Sequence, residues 1–174
     1  THTYARIESI DPTAMHNALK EGKIVIVAGF QGINKDGSVT TLGRGGSDLS
    51  AVALAGALNA DQCEIYSDVD GIYTTDPRIE PNAKKLDTIS YDEMLELSSL
   101  GAKVLQNRSV ELAKKLKIKL YAKSSFSDNE GTLITEESQN MEEVLVSGVV
   151  LDKNQARVTL RGVSDRPGIA AEIF

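Results

Sequence analysis

Between Thr40 and Asp48 the chain reads TTLGRGGSD, with three glycines around a single arginine, and the apolar helical pattern LSAVALAGAL follows at once. Glycine lets a backbone approach an anion closely, and a helix N-terminus offers unpaired N–H groups with positive partial charge. Arg44 has no obvious packing role between glycines and presents a planar fork matched to a carboxylate or phosphate. The spacing is neither that of a Walker A loop, which needs Lys-Ser/Thr after its second glycine, nor a dinucleotide fingerprint. A glycine-rich turn ahead of a helix serves as often as a plain tight turn. Arg44 is what tips this one toward anion binding.

Two other stretches carry groups suited to chemistry. SDVDGIYTTDPR, residues 67–78, surrounds a tyrosine with carboxylates and hydroxyls and leaves the carboxyl end of an expected strand, where open α/β sheets bind ligands. The same composition suits a surface loop full of turn formers. In SLGAKVL, Lys103 falls in the first turn of an expected helix, where the helix dipole disfavours a cation; that sets it apart from an ordinary solvated lysine. The histidines, His2 and His16, have no metal-spaced partners, so neither a zinc site nor a Ser-His-Asp relay can be assembled. Cys63, the single cysteine, excludes an internal disulfide framework, fits a reducing compartment and reads as a buried structural thiol.

The elements that must position these groups follow from periodicity. Residues 11–21 read as a helix ended by Gly22, and KIVIVAGF, residues 23–30, as a fully buried strand of a parallel sheet. NKDGSVT gives a hairpin or exposed loop, Ser47 an N-cap, and residues 48–58 a helix leading to a second buried strand at 62–67. A loop-rich span with two of the four prolines, Pro77 and Pro81, precedes helices at 91–97, capped by Ser90, and at 102–116. Strands IKLYAKSS and TLIT close this part, and the character changes near residue 142, where two alternating strands lead to SDRPGIAAEIF. Strand–loop–helix–strand order makes the fold class α/β.

The 174 residues, 41% hydrophobic and 25% charged, have a soluble globular composition. A formal charge of −6 argues against a nucleic-acid partner, and the cluster Lys114, Lys115, Lys117 and Lys119 reads as a solvated helix end. No apolar run approaches membrane-span length and no signal peptide is evident, so no membrane partner is expected.

In their order, VAGFQG (27–32), TTLGRGGSDLSA (40–51), SDVDGIYTTDPR (67–78), LSSLGAKVL (97–105), RSVELAKK (108–115) and SSFSDNEGTLI (124–134) resemble the aspartokinases of the amino-acid kinase family. The tail from Val146 resembles the opening of that family's first ACT regulatory domain, so the resemblance covers nearly the whole chain. Gln106 and Asn107 stand where the family usually has His-Pro, and Lys123 where an arginine commonly precedes SSF. The resemblance implies a three-layer, mostly parallel sheet over residues 1–141, the nucleotide-binding C-terminal part of the kinase domain. Residues 142–174 would be the truncated beginning of a βαβ ACT domain. Together with the Thr at position 1, it implies an internal fragment: the family's phosphate-binding lysine motif and amino-group glutamate would precede Thr1, and the fragment alone is expected to be inactive.

The implied reaction transfers the γ-phosphoryl group of ATP, with Mg²⁺, to the side-chain carboxylate of L-aspartate in a cytoplasmic enzyme of lysine, threonine and methionine biosynthesis. By resemblance, Arg44 with Gly45, Gly46 and Ser47 holds the substrate α-carboxylate, Lys103 meets the transferring phosphoryl group, and Asp48 orients Lys103. Ser67 and Asp68 would contact the adenosine, Tyr73 would pack on base or ribose, Asp76 and Arg78 would close the nucleotide loop, and Val104 would pack beside the nucleotide. Plain helix capping stands as the other role for Asp48. Complete ACT domains would bind lysine or threonine, and the full-length form would be a homo-oligomer. Glutamate 5-kinase or uridylate kinase activity, or a non-catalytic effector-binding piece, are the alternatives.

Overall fold

The computed structural model describes residues 5–100, 104–136 and 148–151. Helix α1 (Thr13–Lys20) begins after Asp11, whose carboxylate accepts the Thr13 N–H and hydroxyl, and ends ahead of Gly22 with its φ of 74°. The following run, expected to be a buried strand, is not one: residues 23–29 join no ladder, and Ile24 and Ile26 are 93% and 94% exposed. A continuous apolar run announces that something should cover it without naming the cover, and none of the described residues pairs with it.

The expected hairpin forms from β1 (Gln31–Ile33) and β2 (Val39–Thr41), paired antiparallel. Its turn is closed by the Asn34 side chain, which accepts the N–H groups of Asp36 and Ser38 at 3.0 and 2.9 Å. Helix α2 (Gly46–Leu58) then leads to β3 (Gln62–Ser67). Next come β4 (Thr88–Ser90), α3 (Tyr91–Ser99), α4 (Asn107–Leu116), β5 (Lys119–Ser124) and β6 (Thr132–Thr135). The larger sheet runs β3-β5-β6-β4, with β3 parallel to β5, β4 parallel to β6, and β5 antiparallel to β6.

Register explains the core. Cys63 pairs with Leu120, Leu120 with Ile134, and Ile134 with Ile89, so one face of the sheet carries a buried apolar row. Val52 of α2, Met94 of α3 and Val110 and Ala113 of α4 close over it, each fully buried. The other face shows Glu64, Tyr66, Tyr121 and Lys123, with Lys123 Nζ 2.6 Å from Glu64 and the Tyr66 hydroxyl donating to the same carboxylate.

Helix ends depart from expectation in two places. The residue before α2 is Gly45 in a left-handed conformation, not Ser47, and no side chain caps it. Helix α4 starts at Asn107, not at 102, because Gln106 is extended (φ −79°, ψ 130°) and its carbonyl accepts the Ser109 N–H and hydroxyl. Helix α3, in contrast, has the expected Ser90 cap, completed into a capping box by Glu93. Both α2 and α4 end on left-handed residues, Asn59 and Lys117, with a wide backbone bond (Ala60 N–H to Ala55, Ile118 N–H to Ala113), and reverse directly into β3 and β5. That reversal leaves both helix N-termini at the carboxyl end of the parallel strands.

Candidate functional site

At that end, the chain leaving β2 buries Leu42 and then turns through Gly43 (φ 89°), Arg44 and Gly45 (φ 72°) into α2. The Gly46 N–H closes the turn on the Gly43 carbonyl at 2.9 Å. Only glycine fits twice over. A Cβ on Gly45 would lie 2.7 Å from Gln106 Cγ, and one on Gly46 2.8 Å from Leu42 Cβ. Arg44 and Ser47 are exposed, and the N–H groups of Gly45 and Ser47 have no acceptor among the described residues. A guanidinium beside free amides at a helix N-terminus is an arrangement suited to an anion.

The turn is braced by residues whose roles are tertiary and were not read from the sequence. Ser50, one turn into α2, donates to the Gly46 carbonyl at 2.9 Å and accepts the Phe30 N–H at 3.0 Å. Phe30 is held at φ 71°, a strained value for a bulky residue, and its carbonyl takes the Leu42 N–H. Arg108 of α4 donates to the carbonyls of Leu42 and Ala5 at 3.0 and 2.8 Å. Gln106 donates its amide to the Arg44 carbonyl at 3.2 Å.

Asp48 is half-buried and does not cap α2. Burial pushes its carboxyl above the ordinary range, partly offset by the Gln106 backbone N–H, the Ser47 hydroxyl and its own N–H, all donated to it. The carboxylate therefore links the glycine turn to the entry of α4. Val104 packs half-buried against the core just before that entry. Lys103 lies outside the described residues.

The second group leaves β3. Ser67 ends the strand beside β5, its carbonyl accepting the Ser125 N–H at 2.8 Å, and Asp68 is exposed. Beneath the loop, Thr132 accepts the Ile72 N–H at 2.9 Å and donates to the Leu86 carbonyl at 2.5 Å, which fixes the backbone at Tyr73. Tyr73 donates its hydroxyl to Asp70 at 3.0 Å, which raises its pKa along with burial, the larger cause. Asp76 and Arg78 engage each other through Nε and Nη2 at 3.0 and 2.8 Å. Thus Ser67, Asp68, Tyr73, Asp76 and Arg78 share one stapled loop, while Arg44 to Asp48 share one turn. No hydrogen bond or ion pair among the described residues joins the two groups. Two shallow concavities of about 380 Å³ each lie elsewhere and include none of these residues.

Cys63 is buried, and desolvation first, then the charges of Asp48 and Glu64, push its thiol up to about 11. It is an inert packing group. Among the described residues no cluster of His, Cys, Asp or Glu could hold a metal, and no helix is long and apolar enough to cross a membrane.

Comparison with known proteins places this geometry in context. The pattern of the amino acid kinase family matches residues 2–124. An aspartokinase of Helicobacter pylori is 64% identical over 174 residues, 98% of this chain and 43% of that protein. The structure of aspartate kinase from Synechocystis aligns with 71% of this chain and 21% of its own at 58% identity and a TM-score of 0.63. Aspartokinase III of E. coli with aspartate and ADP (R-state) covers 74% of this chain and 29% of its own at 39% identity and a TM-score of 0.68, and has also been solved with lysine and aspartate (T-state). The chain thus spans less than half the length of the curated relatives it matches.

Proposed function

Because the chain belongs to the amino acid kinase family, we propose that the intact protein is an aspartate kinase. It would move the γ-phosphoryl group of ATP to the side-chain carboxylate of L-aspartate, giving 4-phospho-L-aspartate and ADP. The observation that carries this reading is the Arg44 turn: one exposed guanidinium, two left-handed glycines and free amides at the start of α2. The relatives named aspartokinase, and the neighbour solved with aspartate and ADP, support it.

The acceptor carboxylate has an ordinary pKa of roughly 3.9, so it is ionised at neutral pH and needs no general base. The task is to bring an anion to an anionic phosphoryl group, by positioning and cationic stabilisation. In this reading Arg44, the amides of Gly45 and Ser47, and the close approach allowed by Gly46 hold the α-carboxylate. Asp48 keeps Lys103 aimed at the transferring phosphoryl group. Ser67 and Asp68 contact the adenosine, Tyr73 packs on base or ribose, Val104 lies beside it, and Asp76 with Arg78 closes the loop. Mg²⁺ prefers nucleotide phosphates to all-protein cages, and it would neutralise phosphate charge when bound. The loop suits that: its Asp70 and Asp76 are already engaged by Tyr73 and Arg78. Residues 142–174 would open an ACT domain for lysine or threonine in a cytoplasmic homo-oligomer.

The test is ADP release by the intact protein with L-aspartate, L-glutamate or UMP as acceptor, with hydroxylamine trapping of the acyl phosphate. Turnover and trapped product with aspartate alone are expected. Turnover with glutamate or UMP but not aspartate would overturn the reading.

A further inference from the structure

The residue that ties the anion turn to the rest of the site is Gln106. Its Nε2 donates to the Arg44 carbonyl at 3.2 Å, its Cβ and Cγ lie against Gly45, and its backbone N–H is donated to Asp48. Three points of one residue thus meet Arg44, Gly45 and Asp48. In a trans peptide the carbonyl of one residue and the N–H of the next point in opposite directions. Holding the Arg44 carbonyl toward Gln106 therefore aims the Gly45 N–H away from it, as one of the two amides left free for an anion. We propose that Gln106 is a positioning residue for the substrate carboxylate, setting the Arg44–Gly45 peptide through its side-chain amide and Asp48 through its backbone. The inference rests on the aspartate kinase reading of this turn and deepens it.

The state of the other amide atom separates this role from plain packing. Gln106 Oε1 is buried and accepts no hydrogen bond among the described residues. Flipping the amide would set that oxygen against the Arg44 carbonyl, two acceptors face to face, so the donor end is fixed on the turn. A buried acceptor with no donor carries a desolvation cost that an apolar side chain of the same shape avoids. Methionine would therefore serve the fold as well as glutamine does. What it would not do is hold the peptide.

The experiment uses the intact protein with Gln106→Met, Gln106→Ala and Gln106→His, reading kcat, KM for aspartate, KM for ATP and the thermal midpoint. Removing one neutral hydrogen bond predicts an aspartate KM raised about three- to ten-fold in the methionine variant, with ATP KM and midpoint as in the wild type. Alanine should raise it at least as far. Histidine, which carries an Nε2 donor at similar reach, should bring it back toward the wild-type value. A methionine variant with wild-type aspartate KM overturns the proposal. So does a parallel rise in both KM values with a lowered midpoint, the mark of a merely structural residue. Wild-type protein that releases no ADP with aspartate overturns the underlying reading instead, and the Gln106 assignment with it.

Discussion

Arg44 is presented rather than packed, because the residues on both sides give up their side chains to let the turn close. Its guanidinium is therefore available to a ligand, and Arg44→Ala should weaken aspartate without disturbing the fold. Losing a charge-assisted contact costs about 1.5–3 kcal/mol, so aspartate KM should rise ten-fold or more while ATP KM stays near the wild-type value. Steady-state kinetics of the intact protein checks this; a raised ATP KM with unchanged aspartate KM would mean the two ligands have been exchanged. Asp48 gives a second test at this scale. Burial raises its pKa in the folded chain above the unfolded value of about 3.9. Folding therefore favours the protonated form, and the ionised carboxylate is a cost. That cost is absent well below pH 3.9, grows as pH rises through the raised folded value, and is complete beyond it. Asp48→Asn, which can still accept the Gln106 N–H, should melt at or above the wild-type temperature at pH 7, with the gap closing in acid. Its kcat should nonetheless fall, because a neutral amide cannot hold a lysine in place. Melting curves at pH 7 and pH 4 beside kcat at pH 7 decide it, and a variant both less stable and fully active would refute the assignment.

Elements declared by short-range signals were readable, and those decided by a distant partner were not. The Ser90 cap announced α3, and the run IKLYAKSS announced β5. The glycines around Arg44 declared a special turn because no other residue could make it. Strand β4 has three residues, and it is a strand only because β6 pairs with it. The start of α4 was placed too early because helical propensity cannot show that Gln106 is pulled away by Asp48 and Arg44. The braces Ser50, Phe30 and Arg108 were missed for the same reason, each acting across the fold. On the polar face of the sheet, Glu64 joins β3 to β5, and the Lys123 ammonium, followed by the Tyr66 hydroxyl, holds its carboxyl below the usual range. A lowered folded pKa gives stability that is present above the unfolded value of about 4.3 and lost as pH falls through the folded one. Glu64→Gln should accordingly lower the thermal midpoint at pH 7, and the difference should shrink as pH drops below about 4.3. A constant difference across that range would show that the pair contributes geometry and no electrostatics.

At the scale of the molecule, on the proposed aspartate kinase reading, a chain of formal charge −6 would help bring two anions together, so the guanidinium presented by the Arg44 turn and the loop geometry would carry the burden. One long-range contact reaches that loop from far along the chain. The Val149 N–H donates to the Thr74 carbonyl at 2.7 Å, and Val150 packs on the core beside it. Thr74 follows Tyr73 directly, so whatever moves residues 148–150 moves the backbone under the tyrosine. On the proposal that residues 142–174 open an ACT domain, this is where that domain's opening segment touches the loop assigned to the nucleotide. Gly148 makes the approach possible: a Cβ there would lie 3.2 Å from both Leu97 Cδ2 and the Thr74 carbonyl oxygen. Alanine asks those neighbours to give by a few tenths of an ångström; valine asks for more than a packed helix and a fixed carbonyl can yield. Overpacking of this kind costs about 1–3 kcal/mol. Because α3 is anchored by its cap and the core, the displacement should fall on the loop. Gly148→Val should thus raise ATP KM by about five-fold or more while leaving aspartate KM within about two-fold. Gly148→Ala should show a smaller effect in the same direction. Kinetics on the intact protein, with a calorimetric ADP titration, reads it directly. A valine variant that folds and binds ADP like the wild type would show that the Val149–Thr74 contact does not reach the nucleotide.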